Sequence, residues 1–174
     1  MKFENTEVFN FSAAFRGMRN PKNSWDKSDS IFNKDGNIYI GENDMKLAQS
    51  LIKAGSEHRK FMRQIFVSVD IVAPLFWWKE FDTYKVGTVR NSCSTMHKIH
   101  VKSFEQNDFT HIGIDDVGEI TQNAFNNTLI AIEYCRNKFN ETKEKKYWRA
   151  IIELLPDGYN MRSTITFNYE NLLG

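Results

Sequence analysis

The chain has 174 residues, 41% of them hydrophobic, 14% aromatic and 26% charged, a mixture that supplies a core and a soluble surface and argues against disorder. Lys and Arg number 23 against 22 Asp and Glu, and the resulting net charge of +1 excludes a general attraction to nucleic acid or anionic lipid. Cys93 and Cys135 form neither a zinc spacing nor a disulfide framework, no run approaches the ~20 apolar residues of a membrane span, and Lys2, Glu4 and Glu7 interrupt the N-terminus as a signal peptide would not, so the expected setting is cytoplasmic.

Residues 1–12 read as a short strand through Val8, Phe9 and Phe11, and Arg16 to Ser30 as a long loop rich in Asn, Ser and charge. Asp35-Gly36 is a tight-turn dipeptide, and Glu42-Asn43-Asp44 offers a helix start for Met45 to Ala54, with Leu47, Ala48, Leu51 and Ile52 on one face and Gly55 closing it. Gln64 to Val72 alternates, Ile65, Val67, Val69 and Ile71 against Phe66, Ser68 and Asp70, as a half-buried strand does. Pro74 suits the first position of a helix from Leu75 to Tyr84 that Gly87 ends. A polar run, Thr88 to Thr95, leads to His97 to His111, read as irregular or short strand. Helical spacing returns over Asp115 to Phe139 and Thr142 to Leu155, predicting two packed helices. Pro156-Asp157-Gly158 then breaks the chain, Met161 to Phe167 is β-rich, and Asn168 to Leu173 opens a last helix. The whole, 1–174, is expected to be one domain.

Chemistry-bearing residues are sparse. His97 and His100 lack a following Glu and a third ligand, so no metal site is expected, and Ser92-Cys93-Ser94 has no base placed against it. Glu57-His58-Arg59-Lys60 with Arg63 gathers cations between a helix and a strand, where phosphate can be met, or where a turn is simply solvated. Trp77-Trp78 offers a stacking platform for a planar ring, but adjacent helical residues point about 100° apart, so at least one of the two is expected in the core. No Gly-rich phosphate loop is present.

The order of parts resembles the flavin-dependent thymidylate synthase (ThyX) family. A helix ends in Leu51-Ile52-Lys53-Ala54-Gly55, a charged turn and a strand follow, and Ala73-Pro74-Leu75-Phe76 opens the next helix; downstream, Leu154-Leu155-Pro156 and Thr164-Ile165-Thr166-Phe167-Asn168 are similar to the family's L-P … T-x-N segment. The likeness covers most of residues 45–174. The family's R-H-R-x-x-S motif is replaced by Thr83-Tyr84-Lys85-Val86-Gly87-Thr88, Glu170 stands in place of an arginine, and Ile152 in place of another, with Arg149 one helical turn away.

The resemblance implies an α+β fold, an antiparallel sheet packed with helices, thymidylate-synthase-complementing-protein-like. It also implies FAD as cofactor, dUMP as substrate, methylenetetrahydrofolate as carbon donor, NADPH as reductant, and a homotetramer. His58, Arg59, Tyr84 and Asn168 are the implied flavin contacts; Arg63, Glu80, Lys85, Arg90, Ser92, Ser94 and Arg149 are the implied substrate contacts. A second reading keeps the fold without the chemistry, as a nucleotide-, nucleic-acid- or protein-binding module, for instance a phage-encoded accessory or inhibitory protein.

Overall fold

The computed structural model describes residues 1–33, 35–84 and 86–173. In chain order these form strand β1 (Lys2–Phe9), helix α1 (Phe11–Arg19), strands β2 (Ile31–Phe32) and β3 (Ile38–Tyr39), helix α2 (Glu42–Lys53), strand β4 (Phe66–Pro74), helix α3 (Leu75–Phe81), strand β5 (Val89–Ser92), helices α4 (Ile112–Val117), α5 (Glu119–Thr142) and α6 (Lys145–Leu154), and strand β6 (Asn160–Asn168). The expected α+β architecture is present. An antiparallel four-stranded sheet in the order β1-β4-β6-β5 is packed with helices, and β2 and β3 form a separate antiparallel pair with Ile31 opposite Tyr39 and Phe32 opposite Ile38. Along β4 the alternation read from the sequence holds, with Val67, Val69, Ile71 and Ala73 buried.

The chain divides into two compact units. The first contains Glu4–Val69, Lys85–Arg90 and Ile165–Gly174. Its core joins Ala14, Phe15 and Met18 of α1 to Ala48 of α2 and to Phe61, Met62 and Ile65. Here the expected loop over Arg16 to Ser30 is corrected: α1 runs on to Arg19, and 3-10 turns follow at Asn20–Lys22 and Trp25–Lys27. Burial decides this. Ala14, Phe15 and Met18 recur at helical spacing on the apolar face, and the last residue, Arg19, turns inward to a carboxylate far along the chain. Its Nε donates to Asp44 Oδ1 at 2.6 Å, with Arg19 4% and Asp44 0% exposed.

Asp44 is therefore no helix cap, as its position after Glu42-Asn43 suggested; α2 starts earlier, at Glu42. Its second oxygen accepts from Ser28 Oγ at 2.8 Å and from the Asp29 and Ser30 N–H groups at 3.2 and 3.1 Å. The capping role falls to Asp29, whose carboxylate accepts from the N–H groups of Asn43 and Asp44 at 2.9 and 3.0 Å, two of the donors that a helix start leaves without intrahelical partners. A side chain at Gly41 has no room, since its Cβ would stand 2.2 Å from Asp29 Cγ.

The other unit contains Met1–Phe3, Asp70–Tyr84 and Asn91–Thr164. Pro74 closes β4 rather than occupying the first turn of α3. The free donors of that turn are taken by the following chain break: Leu75 N–H donates to Tyr159 O at 3.0 Å and Phe76 N–H to Asp157 O at 3.1 Å. Trp78 is 2% exposed, and its Nε1 donates to Ala73 O and Met161 O at 3.0 and 2.9 Å. The helix stops at Phe81, short of Tyr84.

The polar run after Gly87 holds a strand, β5, and the single helix predicted over Asp115 to Phe139 is two helices, α4 and α5, parted at Gly118, whose φ of +119° suits glycine. Phe109, Phe125 and Ile132 form the core beneath α4 and α5. After β6, residues Tyr169–Leu173 make a 3-10 turn in place of the expected helix.

Candidate functional site

The cationic turn after α2 is positioned by Gly55, at φ +103°, and by a 3-10 segment over Lys60–Gln64. It brings Arg59 and Arg63 to one side, where both meet the carboxylate of Glu170. Arg59 Nε donates to Glu170 Oε1 at 3.0 Å, Arg63 Nη2 donates to the same oxygen at 3.3 Å, and Arg63 Nε donates to Glu170 Oε2. Hydrogen bonds from Arg63 and then Arg59 hold the Glu170 carboxyl below its ordinary value near 4.5. The turn is neither bare nor merely solvated. Its two guanidiniums already grip an oxyanion, and that oxyanion belongs to the chain.

Asn168 stands at the end of β6, 9% exposed, and its Oδ1 accepts from the N–H groups of Glu170 and Asn171 at 3.0 and 3.2 Å. Asn171 returns the contact, accepting from Asn168 N–H at 3.0 Å and donating through Nδ2 to Val86 O at 2.7 Å. Gly87, at φ +74°, lies so close that a Cβ there would stand 2.7 Å from Asn168 Nδ2. Asn168 thus folds the last residues into a turn that presents Glu170 to the arginines, and Asn171 ties that turn to the loop of Val86. Tyr169 N–H donates to Ile65 O at 3.0 Å, tying the same turn to the segment of Arg63.

His58 is exposed, beside Arg59, and lines a cleft of about 550 Å³ with Lys22 and the Lys60–Glu57 pair at its polar margin and Met18, Leu51 and Phe61 as apolar wall. Arg90 lies half-buried on β5 in the same unit. Glu80, Tyr84, Ser92, Ser94 and Arg149 belong to the other unit. Glu80 is exposed on α3, Tyr84 is 54% exposed after it, and Ser92 is exposed at the end of β5. Ser94 Oγ accepts from the His97 N–H at 2.8 Å and the Met96 N–H at 3.2 Å, closing a polar turn. Arg149 is exposed on α6 and has no hydrogen bond or ion pair among the described residues. Lys85 lies outside the described residues.

Sequence reading missed what Glu170 does. It sits 107 and 111 residues from its two partners, and the only signal was one acid set against a cluster of cations. Among the described residues no group of three or more His, Cys, Asp or Glu could hold a metal ion, and no helix is long and apolar enough to cross a membrane.

The fold is that of the flavin-dependent thymidylate synthases. Thymidylate synthase X from Helicobacter pylori, in a crystal structure with FAD and dUMP, superposes with a TM-score of 0.68 at 15% identity, covering 99% of this chain and 80% of that one. A second structure of the Helicobacter pylori enzyme complexed with FAD and dUMP gives 0.67 at 14% identity, over 99% and 81%. No family model and no curated protein matches the sequence.

Proposed function

We propose that this chain is a divergent relative of the flavin-dependent thymidylate synthases that binds FAD and the pyrimidine nucleotide dUMP. The observation that carries the reading is the likeness of 99% of the chain to structures holding both molecules. The residues suit the cofactor in one respect: the cleft beside His58 lies in the size range of ligand sites and carries Lys22, a cation of the kind that meets a dinucleotide's phosphates, besides Lys60, which is paired with Glu57.

His58, Arg59, Tyr84 and Asn168 would orient the flavin, and Arg63, Glu80, Lys85, Arg90, Ser92, Ser94 and Arg149 would hold the nucleotide. The flavin, when bound, supplies the redox chemistry, with methylenetetrahydrofolate and NADPH as the further substrates. For Arg59 or Arg63 to bind a phosphate, Glu170 must let go. A homotetramer in the cytoplasm is the assembly and setting this reading carries; the exposed Ile120, Ile130 and Tyr134 of α5 are apolar surface that such an assembly would cover.

The test is the absorbance of the purified protein between 300 and 550 nm after incubation with FAD and desalting. Retained absorbance near ~450 nm supports the reading, and Arg90→Ala should then weaken dUMP binding without releasing flavin. No retention at saturating FAD removes flavin chemistry and leaves a fold used for binding alone.

A further inference from the structure

We propose that a second cleft, distinct from the one beside His58, binds a phosphate monoester carrying a planar ring. The cleft, of about 230 Å³, lies between α1 and the loop leading to β2, and Ser12, Arg16, Arg19, Trp25, Ser28 and Phe32 line it, with Ser30. Ser12, Arg16 and Arg19 follow one another at i, i+4 and i+7 and so share a side of α1; Ser12 and Arg16 are exposed, whereas Arg19 is buried.

The charges in this cleft are unevenly spent. Asp44 is fully buried and saturated by four donors, and it neutralises Arg19. Arg19 Nε is committed to it and Nη1 to Ser24 O at 3.1 Å, whereas Nη2 makes no hydrogen bond among the described residues. Arg16 is exposed and has no hydrogen bond or ion pair among the described residues, and the Ser12 hydroxyl has none either. No Asp or Glu lines the cleft. A full guanidinium fork, one edge of a second and a hydroxyl thus face an opening whose net charge is that of Arg16. These are more donors than the two oxygens of a carboxylate require, and they match the three outward oxygens of a phosphate ester.

The remaining walls are aromatic. Trp25 is 52% exposed, yet its indole is held, because Nε1 donates to Asn20 Oδ1 at 2.8 Å. Its ring offers a planar apolar surface next to the cations, and Phe32, whose ring meets Phe15 edge-on, is a second apolar wall.

Calorimetric titration with phenyl phosphate, inorganic phosphate and benzoate tests the inference. Phenyl phosphate should bind saturably, and more tightly than either fragment. Arg16→Ala should weaken it about 10- to 100-fold, Arg16→Lys should recover part of that loss, since a point charge cannot reproduce the fork, and Trp25→Ala should lower the affinity for phenyl phosphate while sparing inorganic phosphate. Because Arg16 is exposed and its side chain makes no hydrogen bond or ion pair among the described residues, its variants should melt with the wild type and retain flavin as the wild type does, which separates this cleft from the proposed cofactor site. Undiminished binding in Arg16→Ala, or benzoate binding as well as phenyl phosphate, overturns the proposal.

Discussion

Replacing Asp44 by Ala removes the acceptor for four donors at once: Arg19 Nε at 2.6 Å, Ser28 Oγ at 2.8 Å, and the N–H groups of Asp29 and Ser30 at 3.2 and 3.1 Å. Arg19 would be left charged at 4% exposure. Breaking a buried pair in this one-sided way costs about 3–5 kcal/mol, which for a chain of this length lowers the melting temperature by roughly 6–20 °C. Urea denaturation followed by circular dichroism at pH 7 reads the loss directly.

Burial pushes the Asp44 carboxyl up, but hydrogen bonds from Ser30, Ser28 and Arg19 more than offset it and hold the group below its ordinary value near 3.8. A lowered acid lends stability that is complete above its unfolded value and is lost as pH falls through the folded one. The gap between wild type and Asp44→Ala should therefore narrow as pH drops below that value. Arg19→Met combined with Asp44→Leu, which removes both charges, should lose less than Asp44→Ala alone. A cost under about 1 kcal/mol at pH 7, or a gap unchanged in acid, would refute the assignment of this pair as the clasp between α1 and α2. The same variant should weaken phenyl phosphate binding, because Asp44 fixes the loop that carries Ser28 and Ser30.

Glu170→Gln should free Arg59 and Arg63 from their internal carboxylate; amide exchange at Tyr169–Leu173 should quicken and affinity for inorganic pyrophosphate should rise, and unchanged exchange would show that Glu170 holds nothing. Since the Glu170 carboxyl lies below its ordinary value, through Arg63 first and Arg59 second, the stabilisation it lends the wild-type turn should be lost as pH falls below about 4.5 and through the lowered value, and amide exchange there that keeps the same excess in Glu170→Gln at every acid pH would contradict this. Gly118→Ala meets no atom within 4 Å yet forces alanine to φ +119°, so a loss of about 1 kcal/mol or more is expected from backbone strain alone, measured as a lowered melting temperature.

Local pattern determined a good deal. The alternation of Ile65, Val67, Val69 and Ile71 specified β4, Gly55 marked the end of α2, and the spacing through Tyr147, Trp148, Ile151 and Leu155 announced α6, because side-chain period and backbone permissiveness are properties of adjacent residues. The order of these parts was enough to suggest the fold that the superposition bears out. Tertiary contacts decided the rest. The end of α1 is held by a carboxylate in α2, α3 is capped by carbonyls from beyond α6, and the cations that read as a phosphate site close on Glu170 more than a hundred residues later. A charge in the sequence has no partner until the chain folds. Whether Arg59, Arg63 and Arg16 face a ligand or their own chain was therefore beyond the reach of spacing, and was decided by whether the fold delivered a carboxylate, as it does Glu170 to the first two.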